Sequence, residues 1–166
     1  MNPGTDRIEK HVLLKAPRER VWRALGESEQ FGAWFGVDFD GPFAAGERLT
    51  GRIFPTKVDD EVAAMQRPYE GTPFEWLVDS IEPMHRIAFH WHPYGIDRTI
   101  DYSHEPMTLI EFELHDAPGG ILLTVAESGF DKLPPERRAK AFAANEDGWT
   151  RQMKLIGKYL ASGVAR

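Results

Sequence analysis

The sequence predicts an α+β fold in which one curved antiparallel sheet wraps around a long C-terminal helix. Three observations carry that expectation. Between Pro134 and Ala161, Phe142, Trp149, Met153, Ile156 and Leu160 recur at spacings of seven, four, three and four, which draws a single apolar stripe along a helix. Upstream, short segments alternate apolar and polar residues between turn residues, the pattern of strands with one covered face. The order is one strand, two short helices, several strands and the long helix, so the helices need a sheet to pack on.

Ile8 to Lys15 reads as the first strand, with Ile8, Val12 and Leu14 on one face. Ala16-Pro17 breaks it, and Pro17 opens a helix through Leu25, because proline suits a first turn whose N–H has no intrahelical partner. Val21, Trp22 and Leu25 form its buried stripe. Ser28 is placed to N-cap a second short helix carrying Glu29, Phe31 and Trp34. Val37–Phe39 is a short strand, and Arg48 to Phe54 alternates Leu49, Gly51 and Ile53 against Arg48, Thr50 and Arg52. Thr56 to Gly71 is polar, contains Asp59-Asp60-Glu61, and reads as a long loop or flap. Pro73 to Glu82 is a strand with Phe74, Trp76 and Val78 on one face. His85 to His92 turns Ile87, Phe89 and Trp91 one way and Ala88, His90 and His92 the other. Pro93 to Pro106 is a second polar loop. Thr108 to His115 and Ile121 to Ser128 are joined at Ala117-Pro118-Gly119-Gly120, a strong hairpin turn. Strands linked by tight turns make an antiparallel meander. The last helix begins at Pro134-Pro135, stops at Ser162-Gly163, and extends about 40 Å at roughly 1.5 Å per residue.

The 166 residues fit one domain spanning 1–166, with residues 1–6 a flexible lead. A net charge of −6 argues against a nucleic-acid partner and against an anionic membrane surface, both of which require a basic face. The absence of cysteine excludes disulfides, thiol catalysis and cysteine-based zinc sites. The N-terminus lacks a signal pattern and no apolar run could cross a bilayer, so a cytoplasmic protein is expected. With no G-x-S-x-G, no phosphate-cradling glycine loop and no dinucleotide fingerprint, no cofactor is expected.

Trp34, Phe35, Phe54, Phe74, Trp76, Phe89, Trp91, Phe112 and Trp149 are many large rings for a small domain. Together with Met153 they suit the walls of an apolar ligand pocket. Plain core is the alternative, because alternation turns most of them inward with or without a void. Gly148 beside Trp149 fits a close approach of helix to sheet at a position where glycine costs about 1 kcal/mol. His90 and His92 could present two metal ligands, with Asp97, Asp101, His104 and Glu105 in the next loop. Alternation instead turns both imidazoles to solvent or into a mouth covered by that loop, and no metal is expected. An acid–base pair could lie among Glu75, Glu111, Glu113 and Glu127. Glu111 and Glu113 fall on the solvated face, with Arg48 and Arg52 as cross-strand partners for such acids, and Glu127 lies nearer the mouth. No catalytic residue is assigned. Arg137, Arg138 and Lys140 sit where the helix dipole disfavours cations, which reads as a solvated basic patch.

Ala16-Pro17-Arg18-Glu19-Arg20-Val21-Trp22-Arg23-Ala24-Leu25 and Trp34-Phe35-Gly36 resemble the opening of the SRPBCC (START/Bet v-like) superfamily. Ile81-Glu82-Pro83, Arg86 through Trp91, Thr124-Val125-Ala126-Glu127-Ser128-Gly129-Phe130, and Gly148-Trp149 with Leu155, Tyr159 and Leu160 continue the resemblance in order. The branch it resembles is that of the activator of heat-shock-protein-90 ATPase homologues. The resemblance implies a helix-grip fold with a hydrophobic cavity between helix and sheet. Its members bind lipids, hormones, polyketides or other apolar molecules, and some branches are cyclases or hydrolases. A small apolar ligand is therefore implied, with a chaperone contact or cyclase- or hydrolase-type chemistry as alternatives, in a monomer or homodimer. The loops 56–71 and 93–106 are longer than is typical of the branch.

Overall fold

Alternation and tight turns produce a seven-stranded, wholly antiparallel curved sheet in a computed structural model that describes residues 6–97 and 99–162. Gly163 of the expected stop signal and residues 1–5 of the expected flexible lead lie outside the described residues. The elements are β1 (Arg7–Leu14), α1 (Arg18–Gly26), α2 (Ser28–Phe35), β2 (Val37–Phe39), β3 (Arg48–Ile53), α3 (Asp60–Gln66), β4 (Pro73–Glu82), β5 (Arg86–Trp91), β6 (Thr108–Ala117), β7 (Gly120–Ser128) and α4 (Pro135–Ala161). The strand order is β1-β7-β6-β5-β4-β3-β2. The helix-grip architecture expected from the sequence is the one observed.

Pro118-Gly119 makes the β6–β7 turn, with Ala117 opposite Gly120 and Gly119 at φ 88°, a conformation that glycine reaches without steric cost. The register that follows sets Ile110 against Glu127, while β5 pairs Trp91 with Thr108. These two registers bring Trp91, Thr108 and Glu127 to one end of the sheet. The 27 residues of α4 pack on β1, α1 and α2 and bury Trp149, Met153, Ile156 and Leu160 of the expected stripe, together with Ala141, Leu155 and Tyr159.

The core is organised around Phe31, which is fully buried on α2. Its ring centroid lies 4.8–6.0 Å from those of Trp34, Phe35, Phe39, Phe43, Trp76, Phe89 and Phe112. Tilted and edge-on contacts at such distances are favourable beyond simple burial. Trp34 also donates its indole N–H to the Ala24 carbonyl at 2.8 Å, locking α2 to α1.

Three local expectations are corrected. The buried face of α1 is Val21, Ala24 and Leu25, with Trp22 only half-buried. Glu27, not Ser28, occupies the N-cap of α2, and no side chain caps that end. The segment 56–71 is not an open loop but contains α3 followed by a 3-10 turn at Arg67–Tyr69. Asp59 supplies the start, its Oδ1 accepting from the Val62 N–H at 2.9 Å, and Asp60 and Glu61 favour the positive end of the helix dipole.

This flap is fastened at the C-terminus of α2. Gln66 donates to the Phe35 carbonyl at 3.1 Å and accepts from the Thr56 N–H at 2.7 Å. Thr56 Oγ1 donates to the Trp34 carbonyl at 2.9 Å. The chain can turn there because Gly36 adopts φ 96°, and a Cβ on it would sit 2.3 Å from Gln66 Nε2. Gly36→Ala is therefore expected to lose about 1–2 kcal/mol from the left-handed backbone alone. Displacement of Gln66 adds to that loss. Urea denaturation should record the loss, and faster amide exchange in α3 should report the loosened flap.

Candidate functional site

The ring cluster around Phe31 fills the seam between α2 and the sheet and ends at Phe35 and Trp91. Beyond them a cleft of about 310 Å³ opens. Ile53, Phe74 and Trp91 contribute from the sheet, and Asn145, Gly148 and Gln152 from α4. The flap covers one side with Val62, Met65 and Tyr69, and the loop 93–106 covers another with Tyr94 and Ile96. A recess of about 100 Å³ shares Phe35, Trp91, Asn145, Gly148 and Gln152 and reaches Trp149.

Gly148 departs from its sequence reading. A Cβ built on it meets nothing within 4 Å, so the glycine does not serve close packing of helix on sheet. It faces open space in the cleft wall. Trp149, one residue on, makes the close contacts, with ring centroids 5.8 Å from Phe35, 5.8 Å from Phe112 and 6.2 Å from Trp91.

Behind this wall Glu127 is completely buried. Its Oε2 accepts from Trp91 Nε1–H at 2.7 Å and from Thr108 Oγ1–H at 2.5 Å. Its Oε1 accepts from Trp149 Nε1–H at 2.8 Å and from Asn145 Nδ2–H at 2.9 Å. Indole N–H groups only donate, so the surroundings are those of a carboxylate acceptor with two donors on each oxygen. Both oxygens are thereby committed to the protein. Glu127 joins β7 to β5, β6 and α4 and positions the cleft's back wall.

Burial pushes the Glu127 carboxyl above its ordinary range, while the four hydrogen bonds pull it back down. A folded-state pKa above the unfolded one means that the folded chain holds the proton more tightly. The residue's stabilising contribution is then largest below the unfolded pKa and is lost as pH rises through the folded value. Above about pH 5 the wild-type stability is expected to fall more steeply with pH than that of Glu127→Gln, as measured by urea denaturation across the range. Asp79, lowered chiefly by its hydrogen bond with His90, acts in the opposite sense in both proteins and cancels in the comparison.

The two histidines do not converge. His90 Nε2 lies 2.9 Å from Asp79 Oδ1, whereas the His92 side chain, 8% exposed, lines the cleft with Nε2 4.0 Å from Glu75 Oε2. Burial lowers the His92 pKa and favours its neutral form. Among the described residues no group of three or more His, Asp or Glu could hold a metal ion. Of the other acids, Glu75 pairs with Arg48, and Arg86 Nη2 donates to Glu111 Oε2 at 2.6 Å.

The basic patch at the start of α4 is also corrected. Arg137 is 15% exposed and pairs with Glu105 at 2.8 Å, donates to the Pro93 carbonyl at 2.9 Å, and lies 4.8 Å over the Tyr102 ring. Arg138 donates to the Asp131 and Leu133 carbonyls at 2.9 and 3.0 Å. Both are internal ties, and Arg137 holds the loop 93–106 against the helix.

Among the rings expected from the sequence as pocket walls, Phe35, Phe74 and Trp91 line the cleft and Trp149 lines the recess. Trp34, Trp76, Phe89 and Phe112 are fully buried around Phe31, away from the cleft. Met153 lies on the far side of α4 in a groove against β1, and Phe54 is 46% exposed beside a different depression. Asn145 and Gln152 escaped sequence reasoning. Their signal was the shared helical face of Asn145, Gly148 and Gln152, polar or small residues flanking the apolar stripe.

With this geometry in place, comparison with known proteins gives one family and several solved structures of the same fold. A family model described as Activator of Hsp90 ATPase homolog 1-like protein matches residues 15–161. DynU16, a protein in the dynemicin biosynthetic locus, superposes with a TM-score of 0.67 at 22% identity, covering 96% of this chain and 49% of its own, so the chain spans about half its length. A protein from Mesorhizobium loti gives a TM-score of 0.67 at 21% identity over 93% of this chain and 96% of the other. The Aha1 dimer from Colwellia psychrerythraea gives 0.66 at 15% identity over 95% and 97%. At these identities the likeness speaks for the fold. No curated protein matches. Among the described residues no helix is long and apolar enough to cross a membrane.

Proposed function

The chain belongs to the Activator of Hsp90 ATPase homolog 1-like family, and from that membership we propose that it binds a small, mainly apolar molecule in the cleft between α4 and the sheet. The observation that carries this reading is Gly148, a mid-helix glycine that opens onto ring-lined space instead of filling it. A glycine there costs about 1 kcal/mol of helix stability relative to alanine, and no backbone or packing requirement in its surroundings accounts for it. Phe35, Trp91 and Trp149 are the proposed ring contacts, backed by Glu127. Because both Glu127 oxygens are saturated, the residue is assigned a positioning role and not the acid–base role of a cyclase or hydrolase.

Naphthalene is the simplest probe of the reading. Its titration into the protein, followed by amide NMR, should give saturable shifts centred on the cleft lining, in residues 35–37, 62–74, 91–96 and 145–152. Absence of saturable shifts would remove the reading. A chaperone contact is the second reading, favoured by the family description. A pull-down with an Hsp90 homologue, with its ATPase rate measured in parallel, tests that reading independently of any ligand.

A further inference from the structure

The sheet ends in two edges, and the chain treats them differently. At one edge β2 is three residues long, and α2 lies so close that a Cβ on Gly32 would sit 2.1 Å from the Val37 carbonyl oxygen. At the other edge β1 runs for eight residues in unbroken register with β7, with neither a bulge nor a proline. Among the described residues, none of its backbone groups bonds to backbone outside that ladder. The outer groups of such a strand are left unpaired, and a long uncovered edge is a template for another strand.

Beside this edge a groove of about 440 Å³ runs between β1 and the end of α4. Val12, Leu14, Met153 and Leu160 give it an apolar floor, and Leu13 next to them is 42% exposed. Lys15, Lys154 and Lys158 also line it, and among the described residues no acid does. Lys158 is taken by Asp59, whereas Lys15 and Lys154 are exposed and form no ion pair among the described residues. In a chain of net charge −6 the groove therefore carries the opposite sign to the whole.

That sign selects the occupant. A second copy docking edge to edge would pair one lysine-bearing groove with another, and like charges so placed oppose association. We propose that the open edge of β1 takes up an extended segment of a partner protein, with apolar residues at alternate positions and acidic residues flanking them. The segment's backbone pairs with the outer row of β1, its apolar side chains rest on the groove floor, and its carboxylates meet Lys15 and Lys154. The groove lies on the far side of α4 from the cleft, so the proposal is independent of the ligand reading.

Three peptides, acetyl-ETVTVTE-amide and its counterparts with glutamine or lysine at both ends, test this by amide NMR titration of the full chain at low salt. The acidic peptide should give saturable shifts centred on residues 10–15 and 153–161, leaving residues 91–96 unmoved. It is expected to bind at least about threefold more tightly than the glutamine peptide, an advantage that shrinks at about 0.5 M salt. In Lys15→Glu with Lys154→Glu, folding checked by thermal denaturation, the preference should pass to the lysine peptide.

Two N-methylated forms of the acidic peptide, blocked on alternate residues, read the backbone. The form whose methyl groups face β1 should lose at least about tenfold, and the other should keep its affinity within about threefold. Equal affinity of the two forms would show a groove held by side chains alone and overturn strand addition. Absence of saturable shifts on β1 overturns the proposal outright. So does a concentration-dependent dimer whose shifts fall on β1, which assigns the edge to a second copy.

Discussion

Glu127→Ala is expected to be the most destabilising single substitution in the cleft region. It deletes the acceptor of Trp91 Nε1, Trp149 Nε1 and Asn145 Nδ2, and it also leaves Thr108 Oγ1 without its carboxylate. An orphaned buried donor costs about 1–3 kcal/mol, so the sum should reach about 4 kcal/mol even if some groups find water. For a chain of this length that lowers Tm by roughly 8–16 °C. Glu127→Gln should lose less, because it keeps the shape and one carbonyl oxygen while turning an amide N–H₂ toward at least one indole donor. Urea and thermal denaturation of both variants give the comparison. A loss below about 1 kcal/mol for the alanine variant would mean that the four donors do not depend on the carboxylate.

Gly148→Leu should separate stability from binding. The new side chain enters space in which the added Cβ meets nothing within 4 Å, and removing a mid-helix glycine gains about 0.5–1 kcal/mol. Stability is expected to hold or rise. The same side chain occupies part of a cleft of about 310 Å³, so naphthalene affinity should fall at least about tenfold. Gly148→Ala, the smaller step, should raise stability by about 1 kcal/mol. Stability comes from thermal denaturation and affinity from the NMR titration. A stable leucine variant with unchanged affinity would place the ligand elsewhere.

The strands were legible because each alternates over enough residues to define a face, and the β6–β7 turn because Pro118-Gly119 has few other uses. The long helix was legible from its stripe. The Glu127 cluster was not, because it depends on register across three strands plus one helix turn. Sequence alternation assigns Glu127 a face but cannot bring Trp91, 36 residues away, onto its carboxylate. The flap was missed for a different reason: α3 buries only Ala63, so it has no apolar stripe, and the Asp59 cap was its one local signal. Arg137 looked solvated because its partner Glu105 is 32 residues distant and the dipole argument speaks only of the helix itself. The rings were read as facing inward, which they mostly do. Whether an inward ring meets a void or another ring turned on Phe31, whose central position no periodicity reveals.

The flap and the loop 93–106 are both fastened to α4, the flap through Lys158 to Asp59 and the loop through Arg137 to Glu105. Those anchor points are 21 residues apart, about 31 Å along the rod. At that distance perturbations act independently. Cutting one tie is therefore expected to loosen its own segment and leave the other in place: Lys158→Ala should speed amide exchange in the flap alone, and Arg137→Ala in the loop alone.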